Sequence, residues 1–235
     1  MSFASATLRL PWASPDDLLH ERGLVVVAPH PDDETLGCGG LLAGASRADR
    51  LRHVVFLTDG ERSHPGTGED LAAIRRTEAM VATAYLGLAP SQLSFLGLPD
   101  SGLATLQEED RAWAMQWLRC LAVERSPCIV VVTSDTDQHS DHRAAFTLVA
   151  EAIKSLPGVE LMAYPVWSWL LLDGPGPLAG VRIDVSGYRK EKDAAIRAYA
   201  SQLGERVRDV EGFRIPGQLL GHVTGGTEVL LHVQL

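Results

Sequence analysis

The chain has 235 residues, 46% of them hydrophobic, enough to bury one sizeable core and too apolar for a disordered polypeptide. Its net charge of −9 argues against nucleic acid as a partner, which calls for concentrated positive charge. No apolar run is long enough to span a membrane, and the N-terminus lacks the basic end and apolar core of a secretory signal. Cys38, Cys120 and Cys128 form no close pair, so a cytoplasmic setting is expected rather than a disulfide scaffold.

Residues 1–23 read as an irregular lead-in with an added strand at Thr7–Leu10. The run Leu24–Ala28 is a buried strand, and Glu34–Arg47 a helix with Leu36, Gly40, Ala43 and Arg47 along one side. His53–Thr58 is the second strand, ended by Asp59-Gly60, and Glu61–Asp70 an exposed loop. A helix follows over Glu69–Leu88, with Leu71, Ile74, Val81, Tyr85 and Leu88 at helical spacing and Gly87 as an alternative stop. Leu93–Leu96 is a short strand before the loop Gly97–Gly102. Next come a helix over Glu108–Glu124, with Trp113, Trp117 and Leu121 on one face, and the strand Cys128–Thr133.

The pattern continues with a helix over His142–Lys154 and a strand at Glu160–Tyr164. Residues 164–177, with Val166, Trp167, Trp169 and Leu170–Leu172, are too apolar for a solvated loop. An extra strand, a pocket rim or a homo-oligomer contact all fit them. Residues 181–185 read as a strand and Tyr188–Leu203 as a helix. The last apolar stretches, around Gly221–Thr227, fold back onto the rest, since no linker separates them. Strands alternating with helices predict an α/β fold, a mostly parallel sheet covered on both faces. One domain over 1–235 is expected, with its core at about 24–202 and a C-terminal extension packed on it.

The chemistry sits in two clusters. His30-Pro31-Asp32-Asp33-Glu34 follows the first strand, and His139-Ser140-Asp141-His142 follows the strand Cys128–Thr133. An imidazole and three carboxylates within five residues are costly to bury unless solvent or a metal compensates them. Both clusters lie at strand carboxyl ends, where open α/β sheets place their ligands. Catalytic zinc commonly takes three protein ligands and leaves a position for water. His30 with Asp32 or Asp33 supplies two, and His139 or His142 a third. The adjacent Asp32 and Asp33 point different ways, so one ligates and the other faces the water. Glu34, at the helix start, meets unpaired backbone donors. The glycines of Gly37-Cys38-Gly39-Gly40 do not form a nucleotide loop, because position 42 is Leu. They let the helix approach the sheet, and Cys38 is a small buried thiol. No GxSxG element supports a serine hydrolase.

With these residues in view, the chain resembles the PIG-L/LmbE-like family of metal-dependent N-deacetylases. Ala28–Glu34 is similar to the family's first motif and His139–His142 to its second. Thr58-Asp59-Gly60-Glu61, Arg75-Arg76-Thr77-Glu78, Leu98–Gly102 and Ser201-Gln202 resemble further family segments in order. The resemblance implies a Rossmann-like three-layer sandwich. It implies His30, Asp33 and His142 as ligands of Zn2+ or another divalent transition metal, and Asp32 as the general base. His139 then stabilises the oxyanion or assists proton transfer, and Asp141 orients or charges a histidine. Arg75, Arg76 and Asp100 fall in segments that contact the sugar. The expected activity is removal of an acyl group, most simply acetyl, from the nitrogen of an N-acyl amino sugar such as N-acetylglucosamine, or of a glycoconjugate. Thr136-Asp137-Gln138 departs from members that carry an aromatic there, so Asp137 is expected to alter the pocket wall. A noncatalytic metal- or sugar-binding protein of the same fold, and a metal-dependent phosphoesterase, are the competing readings.

Overall fold

The computed structural model describes residues 2–173, 177–207 and 212–233. Along the chain run α1 (Phe3–Thr7), β1 (Trp12–Ala13), α2 (Pro15–Leu19), β2 (Gly23–Ala28), α3 (Asp33–Arg47) and β3 (Arg52–Thr58). Then come α4 (Leu71–Tyr85), β4 (Leu93–Leu98), α5 (Glu108–Arg125), β5 (Cys128–Thr133), α6 (Ser140–Ile153) and β6 (Val159–Tyr164). The chain closes with β7 (Gly180–Asp184), α7 (Arg189–Ala198), α8 (Gly217–Val223) and β8 (Thr227–His232).

The strands form one sheet in the order β1-β7-β8-β6-β5-β2-β3-β4. Only β8 runs antiparallel to its neighbours, β6 and β7, among the described pairings. The expected α/β sandwich with a mostly parallel sheet is therefore present. Alternation along β2 divides the core. Val26 and Ala28 join a cluster with Leu41 of α3, Ala82 of α4 and Ile196 of α7. Val25 and Val27 join Leu118 of α5 and Leu148 of α6 on the opposite face. Burial on both faces explains why β2 and β5 read as unbroken apolar runs. No helix among the described residues is long and apolar enough to cross a membrane.

Several local expectations are corrected. The lead-in is two short helices and a two-residue strand, with Thr7 ending α1 instead of starting a strand. Ser14 closes a capping box with Asp17 at the start of α2, a signal present in the sequence. On α4, Val81 and Tyr85 are 46% and 53% exposed, while Arg75 and Glu78 are buried. The inward stripe of this helix is partly ionic because it passes beside the polar cleft, so hydrophobic periodicity is right for the buried Leu71, Ile74 and Leu88 and wrong for Val81 and Tyr85. On α5, Trp113 is 49% exposed and the small Ala114 and Ala122 face inward with Leu118 and Leu121. The helix α7 stops at Ala198, short of Leu203. Just beyond it, Ser201 donates from its N–H and its hydroxyl to Glu78 of α4, at 2.9 and 2.6 Å. Among the described residues of 164–177 there is no extra strand; Trp167–Leu170 is a short 3-10 turn. Residues 174–176 of that segment lie outside the described residues.

Close packing of α3 depends on its glycines. A Cβ at Gly37 would lie 2.1 Å from Cδ2 of Tyr164, whose ring is pinned by its hydroxyl donating to the Val27 carbonyl at 3.0 Å. Gly37→Ala is therefore expected to destabilise the protein by about 1–3 kcal/mol through overpacking, although alanine favours helix. Urea unfolding of the two proteins measures this; an unchanged midpoint would mean that α3 is free to shift.

Candidate active site

The strand order reverses between β2 and β5. From β2 the chain steps outward to β3 and β4, and from β5 it steps the other way to β6. A crevice opens at the carboxyl ends of such a pair. A cleft of about 420 Å³ lies there, lined by residues of both sequence clusters. Pro29 is tied to the end of β3, accepting from the Thr58 N–H at 3.0 Å and hydroxyl at 2.9 Å. The turn after it is strained at Asp32, where φ is 129°, a cost that persists where surrounding contacts enforce it. Here the His30 N–H donates to Asp33 Oδ2 at 3.1 Å, and the Asp32 N–H donates to Glu34 Oε2 at 3.0 Å. The Tyr199 hydroxyl donates to Glu34 Oε1 at 2.6 Å. Glu34 thus meets a backbone donor as expected, and burial raises its carboxyl pKa.

Asp33 Oδ2 lies 3.2 Å from His30 Nδ1 and 3.2 Å from His142 Nε2. One carboxylate oxygen thereby joins the β2 turn to the first turn of α6. Thr133 at the end of β5 fixes that helix, its hydroxyl donating to the His142 carbonyl at 3.0 Å. Each imidazole is backed by further carboxylate on its other nitrogen. His142 Nδ1 lies 3.0 Å from Asp137 Oδ2; His30 Nε2 lies 3.2 Å from Asp100 Oδ1 and 3.3 Å from Asp141 Oδ2. Burial alone would lower the His142 pKa, but Asp33 and Asp137 raise it to about 9. His30 is likewise driven well above its ordinary value, burial being outweighed by Asp100, Asp141 and Asp33. Asp33 moves the opposite way: burial would raise it, and the two imidazoles hold it low.

Asp32, Asp33, Glu34, Asp100, Asp137 and Asp141 are all buried here, with Arg75 the buried guanidinium among them. That excess of negative charge, with two imidazole nitrogens converging on a carboxylate oxygen, fits a divalent cation. His30, His139 and His142 also bring ring nitrogens within 4.8 Å of one another, and His30, Asp100 and Asp141 form a second such group. Neutral imidazole has a single ring lone pair, so His30 cannot serve a cation through both nitrogens. Ligation through Nδ1 beside Asp33 and His142 leaves Nε2–H to donate to Asp100 and Asp141, the usual support of a ligating histidine.

His139 differs from the other two. Its Nδ1 accepts the Asp141 N–H at 3.2 Å. Burial, then the charges of His30 and His142, depress its pKa. Both effects favour the neutral ring, and with Nδ1 accepting, the proton of that form lies on Nε2 as a hydrogen-bond donor. Asp32 turns away from Asp33, as expected, and lies 3.2 Å from Arg75 Nη2. Burial pushes its carboxyl up to about 8 against the pull of Arg75. Arg75 lines the cleft but is heavily committed: it donates to the Gly60 carbonyl at 2.9 Å and to the Pro31 carbonyl. Arg76 lies outside the lining, gripping both oxygens of Asp59 at 2.8 and 2.9 Å. Asp100 lines the cleft and accepts the Arg62 N–H at 2.7 Å, while Asp141 accepts the N–H groups of Ser101 and Leu103.

Asp137 corrects a sequence expectation. It does not shape the pocket wall; it is buried behind His142, and Oδ2 also accepts the Val166 N–H at 3.1 Å. The need of a ligating histidine for a carboxylate partner was the available signal. Gln202 and the apolar group Val166, Trp167, Phe213, Ile215 and Leu219 also line the cleft. Trp167 makes the 164–177 segment part of the cleft.

Residues 25–153 match the family model PIG-L, described as GlcNAc-PI de-N-acetylase. The chain belongs to this family. It is 28% identical to a probable N-acetyl-alpha-D-glucosaminyl L-malate deacetylase 2 of Bacillus anthracis, over 82% of this chain and 86% of that protein. It is 29% identical to a 1D-myo-inositol 2-acetamido-2-deoxy-alpha-D-glucopyranoside deacetylase of Saccharomonospora viridis, over 77% and 85%. Among solved structures it resembles the conserved protein TT1542 of Thermus thermophilus, with 34% identity, a TM-score of 0.60 and coverage of 78% and 80%.

Asp137→Asn is expected to weaken metal binding about 10–100-fold, since the partner that orients His142 loses its charge. Competition with a chromogenic chelator measures it. The raised His142 pKa also fixes a sign. In metal-free protein its pairing contributes fully below 6.5 and is lost as pH rises through about 9. Asp33, whose pKa is depressed, stays ionised across that window. A cation needs the imidazoles deprotonated, so the thermal stabilisation given by added zinc should grow over the same rise. A pH-independent shift would contradict ligation by these histidines.

Proposed function

We propose that this chain is a metal-dependent amidase that removes an acyl group, acetyl in the simplest case, from the nitrogen of an amino sugar or glycoconjugate. The observation that supports it best is the divided pair of carboxylates: Asp33 between two imidazoles, Asp32 beside them and facing the same cleft. Family membership and the two curated relatives, both named as deacetylases of N-acetylated glucosaminyl compounds, support the substrate class. In this reading His30, Asp33 and His142 hold Zn2+, residues 1–235 form one catalytic domain, and the reaction takes place in the cytoplasm.

A divalent ion held there would polarise the amide carbonyl and acidify water at the site. Asp32, free of the ligand set, takes the proton of the attacking water. It then returns that proton to the departing nitrogen. His139 donates from Nε2–H to the oxyanion of the tetrahedral species, and Asp141 fixes that ring through its own N–H. Arg75 keeps the Asp32 carboxylate aimed and, with Asp100, borders the sugar side. Arg76 anchors Asp59 at the edge of that side. The products are a carboxylate and a free amine.

Asp32→Asn should retain about one metal per chain while lowering turnover by about 10²–10⁴-fold. His139→Ala should retain metal as well and lose about 10²–10³-fold in kcat. Amine release from N-acetylglucosamine derivatives, with a chelator control and metal analysis of each variant, tests both. Loss of metal in Asp32→Asn would place that residue in the ligand set, and a phosphate ester cleaved in preference to every amide would overturn the amidase assignment.

A further inference from the structure

The cleft has an apolar wall that the hydrolytic chemistry does not use. Val166, Ile215 and Leu219 are buried in it, and Trp167 and Phe213 are half-buried, their rings meeting edge to face with centroids 5.8 Å apart. Two distant segments build the wall: the turn after β6 and the stretch leading into α8. Backbone bonds hold it in place. The Phe213 N–H donates to the Ser63 carbonyl at 2.8 Å, and the Ile215 N–H to the Gln202 carbonyl at 2.9 Å.

Its position relative to the two ligand histidines decides what it receives. The Val166 N–H donates to the same Asp137 oxygen that faces His142. The wall therefore begins one hydrogen-bonded carboxylate away from a ligand of the proposed cation. Beside His30 the lining is polar: Asp100 contacts that ring, its carboxylate accepts the Arg62 N–H, and Ser101 follows it in the chain, while Ser63 and Gln202 meet the far end of the wall. A scissile amide set between the histidines has its amine on one side and its acyl group on the other. A hydroxyl-rich sugar amine matches the His30 side, which leaves the acyl group for the His142 side.

Building on the amidase reading, we propose that the acyl group is longer than acetyl, an aliphatic chain of several carbons that packs on Trp167 and Phe213. The reaction balances as hydrolysis: water oxygen bonds to the acyl carbon, the C–N bond breaks, and the nitrogen leaves with a proton as free amine beside a fatty carboxylate. Each buried methylene strengthens binding several-fold, and a wall beside the reacting carbon applies that gain to the transition state.

The test uses the zinc-loaded protein and glucosamine carrying N-acetyl, N-butanoyl or N-hexanoyl groups, with hexyl N-acetylglucosaminide as the contrasting arm. The expected result is a kcat/KM at least about tenfold higher for N-hexanoyl than for N-acetyl. That ratio should fall at least about fivefold in Trp167→Ala and, independently, in Phe213→Ala, both checked for metal content. A flat or falling series, or a gain that follows the hexyl glycoside instead, would overturn the proposal, the latter by assigning the wall to the sugar's substituent. Absence of turnover across the whole series would overturn the amidase reading instead. Calorimetric binding of the same amides would then judge the wall alone: affinity that increases with acyl length supports it, and equal affinity overturns it.

Discussion

The site is organised around one shared oxygen. Asp33 Oδ2 stands between His30 at the end of β2 and His142 at the start of α6, within 3.2 Å of a ring nitrogen of each. Because β2 and β5 are hydrogen-bonded neighbours, the two clusters arrive within reach without any long loop. The strained turn at Asp32 follows from that geometry. Asp33 must face α6, so its neighbour is forced to the other side, where Arg75 receives it. The separation of the two adjacent carboxylates is a consequence of a turn enforced by buried contacts.

A shell of carboxylates makes the arrangement dependent on positive charge. Asp137 behind His142, and Asp100 with Asp141 behind His30, favour cationic or metal-bound imidazole on both sides. Protons can fill that role in the metal-free chain, which is why both imidazole pKa values rise. His139 sits close by, its ring centroid 4.8 Å from His30 and 4.9 Å from His142, yet its pKa moves down. One motif therefore yields two histidines whose pKa values move in opposite directions, and the Asp141 N–H occupies Nδ1 of His139 alone. The fold supplies similar scaffolds to different chemistries, so the assignment of hydrolysis rests on these atoms as well as on the family.

Much of the architecture was legible in the sequence. The strands β2 and β5 are continuous apolar runs because both of their faces are covered, and their ends coincide with the two polar motifs. The helix faces of α4 and α5 were less legible for opposite reasons. Arg75 and Glu78 turn inward to serve the cleft and Ser201, while Val81 and Tyr85 are left exposed. On α5, alanines occupy the close contact and Trp113 stays outside. Asp137 was visible as a departure but was given the wrong place, since nothing local shows that a side chain five residues before His142 folds back to it. The partners of Trp167 lie beyond residue 212, a separation that periodicity cannot bridge.

In the proposed function a single cation sits on His30 Nδ1, Asp33 and His142 Nε2, with Asp32 beside it and outside the ligand set. An anomalous-difference map from zinc-loaded crystals, recorded on both sides of the zinc edge, tests this directly. One peak within bonding distance of those three side chains is the expected result. A peak on His30 Nε2 with Asp100 and Asp141, or a pair of peaks bridged by Asp32, would contradict it.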